Sequence, residues 1–484
     1  MFFQSVLLSL QKIYLMGKRA KSFVIENLEI IDTSSDGTSV GKHENIAIFV
    51  RGAVPGDVVD VNVFQKKKTY YRAEILNFKK KSEHRVEPKC KHFGLCGGCK
   101  WQHLSYESQL KYKQKQVVDA FERIGNLDTS KMRDIFSCKN IFYYRNKLEF
   151  SFADRRWLTN EEIKDESIAQ SPGLGFHVPR VFDKVLQIEE CHLMDSFADE
   201  IRNAIGNFTL KENISYYNAR KWEGLMRNII VRKSNNDEWM LIIVFWEKNS
   251  DAEKVLKFVE EKFPNLSSIF YVINQKRNDS ISDLPVHLYK GNEYLTETME
   301  DLNFRVSPLS FLQTNSEQAY ELYKIARQMA GLSGNELVYD LYTGTGTIAQ
   351  FVAKSCKKVV GIEYVEMAIE DAKKNAKENN IHNAEFVAGD MAKVFTDEFV
   401  KVHGKPDIII TDPPRAGMHP DVVKQIIKLL PEKIIYVSCN PASQARDIDM
   451  LRDFYEICRI QPVDMFPHTH HVENICELML KSEF

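Results

Sequence analysis

The chain has 484 residues, 44% of them hydrophobic, with 65 Lys and Arg against 67 Asp and Glu and a net charge of −2. That apolar content excludes a disordered polypeptide, the charge balance confines any polyanion-binding character to local clusters, and the length allows about three domains. Nine irregularly spaced cysteines in so long a chain exclude a secreted disulfide framework and suit a reducing cytoplasm.

The opening MFFQSVLLSLQKIYLM is apolar, but it lacks a basic leading segment and a small-residue cleavage site and is too short to span a bilayer. Residues 1–16 are therefore expected to be a non-structural or over-extended start, with Met16 and GKRAK beginning the natural chain. No later segment is apolar for long enough to cross a membrane.

Short alternating runs over 17–84 (FVIENLEII, IAIFVRG, DVVDVNVF, YYRAEILNF), punctuated at Asp36-Gly37 and Pro55-Gly56, predict a small β-barrel of the oligonucleotide-binding kind. Within it, FQKKKTYYRAEILNFKKKSEHR carries eight Lys and Arg against two Glu, interleaved with Phe64, Tyr70, Tyr71 and Phe78. Basic residues meeting phosphates and aromatics stacking on bases would make this an RNA-tracking surface; a solvated hairpin with its aromatics in the core is the competing reading.

CKHFGLCGGCKW then places Cys90, Cys96 and Cys99 at five-then-two spacing, a thiolate triad suited to Zn²⁺ or an iron–sulfur cluster. A fourth ligand is required, and Cys138 and Cys191 are the candidates. Residues 85–305 mix strand-like runs (KLEFSF, WMLIIVFW) with amphipathic stretches and predict a central α+β domain. From 306 to the end the pattern is strand, Gly-rich turn, helix, repeated, which predicts a parallel, doubly wound sheet binding ligands at the carboxyl ends of its strands.

Gly344-Thr-Gly346 at the first of these turns lets backbone approach a ligand, Glu363 ends the next strand where a ribose diol binds, and Asp390 ends the third, where an adenine amino group would lie. Either carboxylate could instead be an ordinary helix cap. Asp412-Pro413-Pro414-Arg415 ends the fourth strand; Arg415 stands where enzymes that methylate exocyclic amines carry an aromatic. In IIYVSCNPAS, Asn440 is a good N-cap and Pro441 a good first helical residue, so Cys439 precedes a helix whose dipole would favour the thiolate. Pyrimidine C5 is too weak a nucleophile to take a methyl group directly, but thiolate addition at C6 creates an enolate that can, after which a base must remove the C5 proton. Glu473, in DMFPHTHHVEN, is that candidate base. His468, His470 and His471 lack companion metal ligands and are read as pocket-lining.

DPPRAG, YVSCNPAS, DMFPHTHHVEN, FLQTN at 311–315 and DLYTGTGT together resemble the RNA (uracil-5-)-methyltransferase family from about residue 17 onward. The resemblance implies a Rossmann-like S-adenosylmethionine-dependent catalytic domain at 306–484 and a TRAM barrel at 17–84. It also implies that 101–132 packs on the catalytic domain although it falls within the central region. It makes Cys439 the nucleophile, Glu473 the base and Asp412 a contact to the target uracil, with Gln313, Tyr342, Gly344, Glu363, Asp390 and Asp412 around S-adenosylmethionine. In the ribosomal-RNA branch the same cysteine spacing holds a [4Fe-4S] cluster whose last ligand sits in a context like QIEECHLM, which points to Cys191, with a structural or RNA-positioning role. The expected activity is 5-methyluridine formation in large-subunit (23S) ribosomal RNA by a cytoplasmic monomer. Transfer RNA as substrate, methylation of an exocyclic amine, and a non-catalytic ribosome assembly factor are the rival readings.

Overall fold

The computed structural model describes residues 23–179 and 181–483, so the reading of residues 1–16 lies outside them. The chain divides into two compact units, one comprising the residues up to Lys89 with 98–112 and 468–470, the other comprising 90–97, 113–467 and 471–484.

In the first unit, strands β1 (Phe23–Thr33), β2 (Ser39–His43), β3 (Ile46–Val50), β4 (Val58–Lys66) and β5 (Tyr70–Lys80) close into a barrel of order β1-β2-β3-β5-β4, sealed by parallel pairing of β3 with β5. Closure removes the exposed strand edges that an open sheet of this size would carry. Inward positions are β-branched or aliphatic (Ile25, Ile30, Ile48, Val59, Val61, Val63) and form the barrel core. A bulge between Ile25 and Leu28 shifts the alternation; Asn27 sits there at φ +52° and its N–H donates to Asp60 Oδ1 at 2.9 Å. The fully buried Asp57 accepts from Val54 N (2.7 Å), Ser82 N (2.9 Å) and the Arg85 guanidinium (2.7 and 2.8 Å), which ties the end of β5 back to the β3–β4 turn.

The second unit contains two seven-stranded sheets. The central sheet has the order β12-β11-β10-β9-β6-β7-β8, built from β6 (Lys147–Ala153), β7 (Gly173–His177), β8 (Val185–Gln187), β9 (Met226–Lys233), β10 (Trp239–Phe245), β11 (Ser268–Ile273) and β12 (Val286–Gly291). Its one parallel pair, β10–β11, is joined through the helix Ser250–Lys262, whose Ala252, Val255, Leu256 and Val259 pack with the helix Ser196–Lys211 onto one face. The hairpin β13 (Leu295–Met299) and β14 (Leu302–Val306) follows, and its Met299, Leu302 and Phe304 belong to the core of the second sheet.

That sheet has the order β17-β16-β15-β18-β19-β21-β20, from β15 (Leu337–Leu341), β16 (Lys358–Glu363), β17 (Ala384–Ala388), β18 (Ile408–Thr411), β19 (Lys433–Ser438), β20 (Tyr455–Val463) and β21 (Glu473–Leu480). The first five strands are parallel and β21 inserts antiparallel between β19 and β20. Buried on both faces, the parallel strands read as continuous apolar runs such as Ile408–Ile410. The order reverses between β15 and β18, where crossovers diverge and a crevice opens. Val117, Phe121 and Leu127 pack against one face of the sheet with Tyr339, Ile434 and Ile460.

One polar contact fastens the helix Tyr106–Arg123 to the loop after β20. Lys113 Nζ donates to Asp464 Oδ1 at 2.5 Å and to Phe466 O at 2.9 Å, with both charged side chains completely buried. Removing one partner strands a charge in the core, at a cost of about 3–5 kcal/mol, whereas replacing both is close to neutral. Lys113→Met should therefore lower the melting temperature sharply by calorimetry, and Lys113→Met with Asp464→Leu should recover most of the loss; equal loss in both proteins would contradict this account.

Candidate active site

β15 runs into a turn in which Tyr342, Gly344 and Gly346 all have positive φ (+66°, +57° and +75°). Two carboxylates shape it. Asp340 Oδ2 accepts from Thr343 Oγ1 (2.5 Å) and Ala349 N (3.0 Å), and Glu363 accepts from Gly344 N (3.1 Å) and Val365 N (3.0 Å). A Cβ at Gly346 would strike Phe386 at 2.8 Å and Ala372 at 2.9 Å, so packing requires glycine there. At Gly344 the same atom would meet nothing within 4 Å, leaving the backbone open to a ligand. Asp390 caps the helix Met391–Val394 through Ala392 N (3.1 Å) and also lines, with Tyr342, Tyr364 and Pro414, a cleft of about 610 Å³. Cap and cleft-lining roles thus coincide in one side chain. These groups suit an adenosyl ligand: an open glycine turn, an acid at the end of β16, and an aromatic-walled cleft.

Gln313 is placed by residues that the motifs do not reveal. Asn146 Nδ2 donates to its carbonyl at 2.9 Å, and the buried Arg232 donates to the carbonyls of Ser307, Pro308 and Ser310 at 2.8–3.0 Å. The central sheet therefore holds the segment that leads to Gln313.

Cys439, Asp412 and Glu473 come together at the carboxyl ends of β18 and β19. Asn440 caps the helix Pro441–Leu451 through Ala442 N (3.1 Å), with Pro441 in its first turn, and Asn440 Nδ2 and Ser443 Oγ donate to Arg415 O at 2.8 and 3.1 Å. The β19–β21 ladder pairs Val437 with Ile475 and Ser438 with Asn474. Cys439 follows the last residue of β19 and Glu473 opens β21, which brings the two side chains near enough to influence one another's ionisation.

Electrostatics corrects one expectation. Ahead of a helix, Cys439 was expected to favour its thiolate; instead burial, then Glu473 and Asp412, push the thiol up to about 11, and Arg415 opposes them only partly. Burial is the largest of these causes, and the two acids add to it. Burial drives Asp412 up to about 7, and burial followed by Asp412 drives Glu473 up to about 8, with Arg415 again opposing. Asp340 is also raised to about 7, by burial first and with Asp412 and Glu363 adding to it. The buried Tyr323 is pushed up by burial, Asp412, Asp340 and Glu473. Arg415 is the cation common to the thiol and Glu473, a role its place after Asp-Pro-Pro could have suggested. Its Nη2 also lies 3.5 Å from His471 Nδ1, while His468 belongs to the first unit, where its ring meets Gln109 at 3.2 Å.

The expected thiolate quartet is not assembled as a metal cage: among the described residues, no group of three or more His, Cys, Asp or Glu is placed to hold a metal ion. Cys90 and Cys96 do lie close enough to Cys191 to add to the burial that raises its thiol to about 11. Cys138 sits apart from them, 3.6 Å from Asn315 Nδ2 and raised to about 11 by burial. Cys99 falls in the first unit, its Sγ accepting from Gln102 Nε2 at 3.2 Å. Cys90, Cys96 and Cys191 belong to the second unit.

On the barrel, the basic hairpin divides its aromatics. Tyr71 enters the core, whereas Phe64 and Phe78 are exposed. Arg85 lies over the exposed Phe78 ring (4.7 Å), and Lys66 over the core ring of Tyr71 (5.0 Å).

The raised pKa of Glu473 has a consequence for stability. Its folded value of about 8 exceeds the ordinary 4.5, so the folded protein keeps a proton that the unfolded chain releases, and stability falls as pH rises between these values. Glu473→Gln removes this penalty. Its unfolding free energy should match the wild type near pH 4.5 and exceed it increasingly up to pH 8, by a few kcal/mol at about 1.4 kcal/mol per tenfold change in acidity, with the melting temperature rising accordingly; a stability difference that does not change across this range would rule the burial effect out.

Comparison with known proteins accords with this architecture. A family model described as tRNA (uracil-5-)-methyltransferase matches residues 287–482, and the TRAM domain model matches 25–76. An uncharacterized RNA methyltransferase of Bacteroides thetaiotaomicron is 51% identical, covering 93% of this chain and 100% of its own length, and one of Porphyromonas gingivalis is 48% identical over 94% and 100%. The structure of Pyrococcus abyssi tRNA (uracil-54, C5)-methyltransferase in complex with S-adenosyl-L-homocysteine superposes with a TM-score of 0.73 at 29% identity, covering 94% of this chain and 100% of that one. With a TRAM barrel ahead of a methyltransferase fold, the chain belongs to the RNA (uracil-5-)-methyltransferase family.

Proposed function

We propose that the protein transfers a methyl group from S-adenosyl-L-methionine to C5 of a uridine in RNA, through a covalent bond between Cys439 and C6. The observation that carries this reading is the convergence of one thiol, two buried acids and one guanidinium beside an open glycine turn. Bound S-adenosyl-L-methionine supplies an electrophilic methyl group on a sulfonium; Tyr342, Gly344, Glu363, Asp390 and Gln313 would surround it.

The chain's own groups do the rest. Cys439 gives its thiol proton to water and its sulfur adds to C6 as the thiolate, and the displaced π electrons make C5 nucleophilic. Asp412, titrating near neutrality, can donate a hydrogen bond to the uracil and draw charge away from C6. After methylation, ionised Glu473, an unusually strong base for a carboxylate, takes the C5 proton, and the C6–S bond breaks to restore the ring. The target base must leave its stack to reach this pocket.

Large-subunit ribosomal RNA is the proposed substrate, on the strength of the cysteine spacing. Transfer RNA is the second reading, favoured by the solved relative that acts on it. Residues 17–84 would serve as the RNA-binding barrel, 85–305 as the central domain and 306–484 as the catalytic domain, in a cytoplasmic monomer; no described helix is long and apolar enough to cross a membrane. A [4Fe-4S] cluster on Cys90, Cys96, Cys99 and Cys191 rests on spacing and on the nearness of Cys90 and Cys96 to Cys191, and no step is routed through it. Absorbance of anaerobically purified protein separates a cluster from zinc.

Ribosomal and transfer RNA transcribed with 5-fluorouridine should each be offered with S-adenosyl-L-methionine. Fluorine cannot leave as a proton does, so the productive RNA should stall as a denaturant-resistant adduct mapping to Cys439. Cys439→Ala should form no adduct and lose turnover at least a thousandfold, and Glu473→Gln should accumulate adduct on ordinary RNA. Near wild-type turnover by Cys439→Ala would sink the mechanism, and RNA binding without any turnover would favour an assembly factor.

Because Arg415 holds down both the thiol and Glu473, Arg415→Gln should slow single-turnover adduct formation several-fold at pH 7 and displace its pH profile to the alkaline side. An unshifted profile would show that its charge does not reach the reacting groups.

A further inference from the structure

The central sheet carries a cavity of about 530 Å³ that the proposed chemistry does not use, floored by β6 and β9 and walled by the loop 217–222 and the segment after β11. Its polar groups are built in rather than incidental. Tyr217 lines it with only 6% of its surface exposed, and the Tyr217 hydroxyl has no hydrogen-bond partner among the described residues. Beneath it the buried Arg227 stacks on the Tyr217 ring at 4.1 Å and donates to Asn274 O and Lys276 O (both 2.6 Å), Asn278 O (3.0 Å) and Asp279 Oδ1 (3.1 Å), while its Nε has no partner among the described residues.

The mouth is aromatic and cationic. Trp222 is 42% exposed and held at φ +58°, a backbone conformation that bulky residues rarely adopt. The fold maintains it through Asn218, which is 7% exposed, accepts from Arg220 N and Lys221 N at 2.9 Å each and donates to Asp154 at 2.6 Å. The Arg277 guanidinium lies 3.7 Å from the Trp222 ring centroid, with no ion pair among the described residues. Arg220 pairs with Asp183 and Arg227 with Asp279, so Arg277 is the surplus positive charge at the opening.

A flat, π-faced, hydrogen-bonding group attached to an anion fits these features together: rings and a guanidinium plane to stack on, a buried hydroxyl seeking a partner, and a net cation at the rim. The volume is that of an ordinary small-ligand site. We propose that this cavity is a second nucleotide site, which holds one unpaired base of the RNA substrate on the Trp222–Arg277 stack, hydrogen-bonded to Tyr217 Oη, with its phosphate at Arg277. The proposal rests on RNA being the substrate and adds that the enzyme grips a second base besides the one it modifies.

The test uses the full-length protein with large-subunit ribosomal and transfer RNA transcripts. RNA containing 4-thiouridine is photo-cross-linked to the protein and the peptides are mapped, and KM and kcat are measured for Trp222→Ala, Arg277→Gln and the conservative Tyr217→Phe. The expected result is a cross-link within the 217–222 loop, a KM for RNA raised about five- to a hundredfold in Trp222→Ala, the range for loss of one base–aromatic stack, and an unchanged kcat. The smaller changes in Arg277→Gln and Tyr217→Phe should raise KM in the same direction, which guards against misfolding of the tryptophan variant. Unchanged KM in all three, with no cross-link in the loop, overturns the proposal. Should the wild type methylate neither RNA, the reaction reading fails by itself; cross-links in the loop would still support the nucleotide site, and their absence would overturn it too.

Discussion

More negative charge is brought to the carboxyl edge of the second sheet than a dry pocket tolerates. Asp340, Asp412 and Glu473 are all raised well above ordinary carboxyl values, chiefly by burial, and the thiol beside them follows. In such a place the charges regulate one another, because ionising any one group makes the next harder to ionise. Arg415 lowers the cost without abolishing it. The resting pocket therefore stores protons on groups that would be ionised in water, and the acids can act as hydrogen-bond donors or as bases within a narrow range around neutrality.

The surrounding structure can be understood as the frame that keeps this arrangement from relaxing. Asn440 and Ser443 pin the Arg415 backbone, Arg232 and Asn146 tie the Gln313 segment to the central sheet, and the Lys113–Asp464 pair anchors the loop entering β21. Apart from the half-buried Asn440, each of these side chains is a buried polar group with its partner supplied, and so is specific in direction as well as in position.

Much of this was legible in the residues because it is local. Strand, cap and first-turn proline around Cys439, the glycine turn after β15 and the alternation of the barrel are all written in adjacent positions. What was not legible is non-local. The acidity of the thiol depends on acids delivered by two other strands, and the helix start next to it predicts the opposite sign. Strand β20 contains Pro462 and Arg459 and does not read as sheet, yet it lies at an edge, where a proline's missing donor is tolerated. The central cavity draws on residues from 151 to 279 with no motif among them.

The antiparallel insertion of β21 beside β19 has a further meaning. The strand that ends just before Cys439 and the strand that Glu473 opens are neighbours on one ladder, so the spacing of the two strands is set by main-chain hydrogen bonds. Cys439 follows directly from one strand and Glu473 begins the other, so both side chains take their places from a single piece of backbone architecture.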